Sequence, residues 1–252
     1  MNYLIGDIGN TNIKICKINS KFKIVNTYIF ETKNYDLEKN LRKKLKLLLK
    51  KNTNKNILFS SVVPTIYKRI SKIFKSKKFN VHEIKKFNLK RIMKFKVKKY
   101  SELGSDRIAN SIGAYKKFRT NCIVIDIGTA TTFDVIKKNF IYDGGVIAPG
   151  IKLSIENLFS STALLPMFKL RKYPNNYGKN TKEALVSGFF WGYEGLINNI
   201  LKKIIKKNGI NFKIVLTGGY SHLFRKYLMK NAKIEKDLTM QGIIKIYKDF
   251  LL

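Results

Sequence analysis

The sequence predicts an α/β protein built from two similar halves, and three observations predict it. A strand–turn–strand unit with Asp-x-Gly in its turn occurs twice, strand and helix signals alternate after each copy, and no Gly/Ser-rich linker separates the copies. The chain has 252 residues, enough for one large domain or two small ones with sizeable cores. The halves are expected at residues 1–118 and 119–252, packed together, with the last helix free to pack back on the first half.

The first unit is an apolar run, Tyr3 to Gly6, leading into Asp7-Ile8-Gly9-Asn10-Thr11-Asn12 and a second run at 13–18. The other is Cys122 to Ile125, leading into Asp126-Ile127-Gly128-Thr129-Ala130-Thr131 and a run at 132–136, with its Asp 119 residues after Asp7. Residues 23–30 read as a third hairpin strand, and 36–50 as a helix with Leu37, Leu41, Leu45 and Leu48 at helical spacing. A strand at 57–63 is closed by Pro64, and 65–74 is helical through Ile66, Ile70 and Phe74. Residues 75–99 read as basic loop plus a short strand, and 106–118 as a helix. Asp143 to Gly150 reads as a glycine-rich turn system before a helix. A long helix at 181–207 has Asn180 and Glu183 as a capping pair. A strand at 213–217 stops at Gly218-Gly219, and helices at 221–229 and 240–251 complete the chain.

The bulk composition excludes several classes. An apolar fraction of 44% is that of a globular protein. No stretch runs apolar for about 18 residues, since residues 184–197 are broken by Glu194 and glycines, and Asp7 falls where a signal peptide would be apolar. These features lead to the expectation of a cytoplasmic protein without a membrane partner. Two cysteines, Cys16 and Cys122, each inside a strand-like run, fit a reduced compartment, and two isolated histidines form no zinc pattern. The net charge of +35 would suit nucleic acid, but 44 of the 51 basic residues are lysines scattered in doublets such as Lys43-Lys44 and Lys206-Lys207. Base readout and stacking call for Arg forks and aromatics, so the reading is a lysine-loaded solvated surface that attracts ATP and other anions, and nucleic acid is disfavoured as a partner.

The two turns carry the chemistry. Glycine permits a tight turn and lets a phosphate approach the backbone. Thr11 and Asn12 add donors, and Asp7 at a strand end is a hard oxygen ligand suited to Mg²⁺, directly or through water. One such loop could be a plain hairpin; two at the heads of matched units favour phosphate sites. Gly-x-x-x-x-Gly-Lys is absent, because Ile151 stands where the lysine would follow Gly145 to Gly150, and no Gly-x-Gly-x-x-Gly follows a strand. At Gly104-Ser105-Asp106-Arg107, Asp106 can take a proton from a hydroxyl and Arg107 can hold an anion, or the pair can be an N-cap with a solvated arginine. Gly188, Gly192 and Gly195, at i, i+4 and i+7 of the long helix, suggest a close helix contact, internal or across a dimer.

Asp7 to Lys14, Gly104 to Arg107, Asp126 to Thr131, Gly144-Gly145 with Pro149-Gly150, and Gly178-Lys179-Asn180-Thr181 stand in the order of a known family, and together they resemble type III pantothenate kinase. Ser105 stands where that family usually has Ala. The resemblance implies the actin, Hsp70 and sugar-kinase fold: two duplicated ribonuclease-H-like halves with the active site in the cleft between them. It implies ATP-dependent phosphorylation of pantothenate, the first step of coenzyme A synthesis, by a homodimer that needs Mg²⁺ and K⁺ or NH₄⁺. By motif, Asp7, Ile8, Gly9, Asn10, Thr11, Asn12, Ile13 and Lys14 would hold ATP, with Asp7 near Mg²⁺ and Thr129 a further phosphate contact. Asp106 would be the general base, Tyr100, Gly104, Ser105, Asp106, Arg107 and Thr181 would hold pantothenate, and Asp126 would take the monovalent cation. The alternatives are a kinase of this fold for another small acceptor and a non-enzymatic transcription accessory or nucleic-acid-binding protein, as some members of the family have been named.

Overall fold

The structure, a computed structural model, describes residues 1–34, 36–48 and 53–252, with the side chains of 46–48 also outside the description. It falls into two compact units. One holds Met1–Lys117, Phe140–Tyr142 and Asp237–Leu252; the other holds Phe118–Asn139 and Asp143–Lys236.

In the first unit, β1 (Asn2–Ile8), β2 (Asn12–Ile18) and β3 (Ile24–Glu31) form an antiparallel meander, and α1 (Leu37–Leu48) follows. The Leu48 side chain, Leu49 and Lys50, part of the expected helix, lie outside the described residues. Next come β4 (Thr53–Ser61), α2 (Pro64–Lys75) and β5 (Asn80–Glu83), with β4 parallel to both β1 and β5. Pro64 does not close the strand; it opens α2 at its first position, where its missing N–H costs nothing. The basic segment expected to be mostly loop contains β5 and the short β6 (Lys94–Phe95), which pairs with Ile141 and Tyr142 of the same unit. The one short strand expected there is thus two, and their places are set by pairing partners elsewhere in the chain rather than by local composition. The helix α3 (Ser105–Phe118) completes the run.

The second unit opens with β7 (Cys122–Ile127), β8 (Ala130–Lys137) and β9 (Ile141–Pro149). The expected glycine-rich turn system at 143–150 is thus largely strand, with Gly144 at φ +135. There follow α4 (Ile151–Ser160), α5 (Thr181–Asn208), β10 (Lys213–Thr217), a shorter α6 than expected (Ser221–Phe224) and β11 (Ala232–Ile234), after which α7 (Leu238–Leu251) belongs to the first unit. The Asn180 side chain accepts from Glu183 N–H at 3.0 Å while the Glu183 carboxylate takes Lys179 N–H, and Gly209 in the left-handed region ends α5.

The five-stranded order β3-β2-β1-β4-β5 is matched position by position by β9-β8-β7-β10-β11 in the other sheet, which has β6 as a sixth strand beside β9. Each sheet combines an antiparallel pair at its leading hairpin with parallel neighbours after the first helical crossover. This repeated plan is the duplication the two turns announced. The first unit's core joins Leu4, Ile8, Ile13, Ile57 and Phe59 to Leu37, Leu41, Ile70 and Phe74. That of the second joins Ile123, Ile125, Ile127 and Phe133 to Ile151, Phe190, Ile197 and Leu201.

Within the first unit α7 lies hard against α3. A Cβ on Gly242 would stand 1.8 Å from the Ala109 carbonyl oxygen, and one on Gly113 would stand 2.6 Å from that of Leu238. Thr239 Oγ1 donates to Asn110 Oδ1 at 2.7 Å, and Tyr247 reaches Asn54 and Asn56 O at 3.2 Å. Gly242→Ala is therefore expected to destabilise the protein by about 3 kcal/mol, since two backbones must separate. Denaturant unfolding measures it, and a loss below about 1 kcal/mol would mean that the helices are not so close.

Candidate active site

The Asp7 loop joins two strands whose Ile8 and Ile13 are fully buried, so those side chains anchor the turn and only their backbone can meet a ligand. Asn10, Thr11 and Asn12 are exposed at its tip. Gly9 N–H donates to Asn12 O at 3.0 Å, Thr32 Oγ1 to Gly9 O at 2.7 Å, and Thr32 N–H to Thr11 O at 2.9 Å. Thr32 follows β3, so the third strand braces the turn of the first two; no sequence signal marked it. Asp7 is half-buried at the strand end, in register with Lys14 on β2 and Ser60 on β4. Gly6 gives room to Phe59, whose ring would lie 2.3 Å from a Cβ there.

The Asp126 loop repeats the turn, with Gly128 N–H donating to Ala130 O at 3.1 Å. Asp126 lies in register between Thr132 on β8 and Thr217 on β10. Glycines close around it. A Cβ on Gly218, at φ +88, would be 2.5 Å from Asp126 Oδ1 and 2.6 Å from Ile127 O, and one on Gly150 would be 2.0 Å from Thr129 O and 2.6 Å from Gly128 O. The hydroxyls of Thr131 and Thr132 are buried without a hydrogen-bond partner. A carboxylate among main-chain carbonyls and hydroxyls is a hard oxygen environment, suited to an alkali cation. Among the described residues no three His, Cys, Asp or Glu side chains cluster as metal ligands.

Asp106 occupies the first turn of α3. Its Oδ1 accepts the Arg107 N–H at 2.7 Å, and Gly104 is required because a Cβ there would stand 2.5 Å from that oxygen. Burial pushes the Asp106 carboxyl above its ordinary value, and the N–H and charge of Arg107 oppose this without cancelling it. Ser105 has its hydroxyl engaged with Ser61, donating to its carbonyl at 2.6 Å and accepting its N–H at 2.9 Å. It therefore fixes the start of α3 to the end of β4. Tyr100 lies in a single turn before α3, its ring 4.7 Å from that of Phe95. Asp7, Tyr100 and Gly104 to Arg107 all belong to the first unit, and Asp126, Thr129 and Thr181 to the second.

Thr181 begins α5, and the preceding loop passes so close to that helix that a Cβ on Gly178 would stand 2.0 Å from Ala184 N. Thr181 lines an apolar groove of about 570 Å³ with Pro149, Leu185, Gly188, Phe189 and Gly192. Gly188, Gly192 and Gly195 face open space, so the internal form of the close contact expected of them is not made among the described residues.

A family model of type III pantothenate kinase matches residues 3–203. The chain belongs to the type III pantothenate kinase family. It is 44% identical over 243 residues to the type III pantothenate kinase of Pelagibacter ubique, covering 96% of this chain and 97% of that one. It is 34% identical to the enzyme of Desulfosudis oleivorans, covering 95% and 96%. Among solved structures it is similar to a Baf family transcriptional activator from Campylobacter jejuni, with TM-score 0.63, 24% identity and 98% coverage of both chains. It is also similar to the activator of 2-hydroxyisocaproyl-CoA dehydratase from Clostridium difficile with bound ADPNP, with TM-score 0.59, 10% identity and coverage of 99% and 95%. At these identities both share the fold alone, that of the actin, Hsp70 and sugar-kinase proteins. As a type III pantothenate kinase, the chain is a phosphotransferase that uses ATP to phosphorylate pantothenate in coenzyme A biosynthesis. Among the described residues, no helix is long and apolar enough to cross a membrane.

Gly218→Ala is expected to strain a positive-φ position by about 1–2 kcal/mol and displace Asp126. Pantothenate-dependent ATP turnover should then fall more steeply than the melting temperature. Full turnover in a folded variant would show that the enclosure of Asp126 does not matter.

Proposed function

We propose that Asp106 is the general base of pantothenate phosphorylation, taking the proton of the primary hydroxyl as its oxygen bonds to the γ-phosphorus of ATP and ADP leaves. The observation that carries this is the placement of its carboxylate: half-buried, oriented by the Arg107 N–H, and raised in pKa by desolvation. Arg107, with five fixed donors, is suited to the carboxylate of pantothenate. Gly104, Tyr100 and Thr181 complete the acceptor contacts, while Ser105 acts through its clamp on Ser61. The Asp7 to Lys14 turn offers backbone N–H groups and the exposed Asn10, Thr11 and Asn12 to the phosphates, and Thr129 offers another donor. Asp7 would hold Mg²⁺, and Asp126 K⁺ or NH₄⁺; together they would supply the positive charge that a P-loop lysine provides elsewhere. Every other contribution of the chain is positioning and exclusion of water.

Asp106→Asn is expected to keep ATP affinity while kcat falls about 10²–10⁴-fold. Isothermal titration and steady-state kinetics test it, and wild-type turnover would remove Asp106 from the role. The acid limb of kcat/KM should lie above the ordinary aspartate value of ~3.9. Because folding raises this pKa, the folded state binds more protons than the unfolded between the two values. The stability contributed by the group is therefore fully present below ~3.9 and lost as pH rises through the raised value. Asp106→Asn, which keeps an acceptor for the Arg107 N–H, is thus expected to melt higher than the parent at neutral pH, with the advantage shrinking toward pH ~4. An equal difference at both pH values contradicts this sign. Turnover in K⁺ against Na⁺ tests Asp126: Asp126→Asn should raise the K⁺ needed for half activation at least about tenfold.

The groove beside Gly188 and Gly192 is read as the face that meets a second copy. Its open glycines leave room for a close helix contact that the lone chain does not make, and exposed Trp191 lies beside them. Gly192→Glu is expected to give a monomer by light scattering, and an unchanged mass would sink the reading.

A further inference from the structure

Two polar atoms between β5 and α3 are buried without a hydrogen-bond partner. One is Oε1 of Glu83, the last residue of β5, and the other is the hydroxyl of Tyr100. Such groups destabilise a fold unless a partner or water reaches them. The Glu83 carboxylate takes the Lys85 backbone N–H, which points it back over its own turn. Lys85 Nζ in turn donates to the Ser101 carbonyl at 2.7 Å, tying that turn to the residue beside Tyr100. The Tyr100 ring is held on its other side by Phe95, whose strand pairs with Ile141 and Tyr142. The two orphan groups also feel each other. The Tyr100 phenol is pushed up to about 12, first by burial and then by the charge of Glu83, and burial raises Glu83 itself against Lys85 and Lys86. An acceptor and a donor, both desolvated and both lacking a partner, stand in one small region.

We propose that Glu83 is a positioning residue for the acceptor substrate, its buried carboxylate oxygen reaching the Tyr100 hydroxyl through one bound water, so that the Tyr100 ring is fixed where pantothenate docks. This rests on the reading of Tyr100 as a pantothenate contact. The carboxylate touches no reacting atom; it acts through the tyrosine. A role confined to stabilising the β5 turn is the competing account, and it predicts no preference between the two substrates.

The test is a double-mutant cycle on Glu83→Ala and Tyr100→Phe, with Glu83→Gln as the variant that keeps an acceptor oxygen. Glu83→Ala is expected to raise the KM for pantothenate about tenfold while the KM for ATP and kcat stay within about twofold. Glu83→Gln should recover most of that loss, and Glu83→Ala should cost little further in the Tyr100→Phe background. Additive effects, equal rises in both KM values, or a Gln variant no better than Ala would overturn the proposal. Melting temperatures of the same variants separate the two layers. Thermal coupling of the two sites with no change in pantothenate KM would confirm the contact but place Tyr100 outside the substrate site, which overturns the positioning role. If Glu83→Ala does not fold, Glu83→Leu, closer in volume, takes its place in the cycle.

Discussion

Burial of β1 and β7 on both faces constrains everything else in this molecule. Each is an interior strand of its sheet, with neighbours on either side and apolar residues above and below it. Such a strand reads as a continuous apolar run and tolerates a charge best where it leaves the sheet. Asp7 and Asp126 stand at those points, each half-buried beside a glycine turn. The sheet thus sets where its terminal carboxylate projects, and the turn fixes what lies next to it. The same placement occurs in both units because the strand order is the same in both.

Glycine is used where two pieces of backbone must come within a side chain's width. Gly218 and Gly150 let the chain close over the Asp126 turn, Gly178 lets a loop meet the first turn of α5, and Gly242 lets α7 reach α3. The first three shape sites, whereas the last holds the C-terminal helix to the first unit, far upstream in sequence. Gly188, Gly192 and Gly195 differ, since nothing among the described residues lies within 4 Å of where their Cβ atoms would be. A residue type alone therefore does not say whether closeness is internal.

Much of this was legible in the sequence. The paired turns gave the duplication, and leucine spacing and the Asn180–Glu183 cap gave α1 and α5. Asp106 was marked by its Asp-Arg setting. What was hidden depends on partners far away in the chain. β5, β6, β9 and β11 are short or carry glycine, lysine and asparagine, and only neighbouring strands give their backbone groups partners. Thr32, Ser61 and Glu83 sit in segments without any motif. They matter because folding carries them to the Asp7 turn, to Ser105 and to the Tyr100 segment.

By itself the sequence determined the duplicated plan and the catalytic family, because strand runs, turns and motifs are written in adjacent residues. Tertiary structure alone decided which hydroxyls clamp and which are offered to a ligand, since hydrogen-bond partners at Ser105 and Thr32 come from other strands. It also decided which carboxyl shifts its proton affinity. Asp106 is an ordinary aspartate by sequence and a raised one only because folding buries it more strongly than Arg107 can offset.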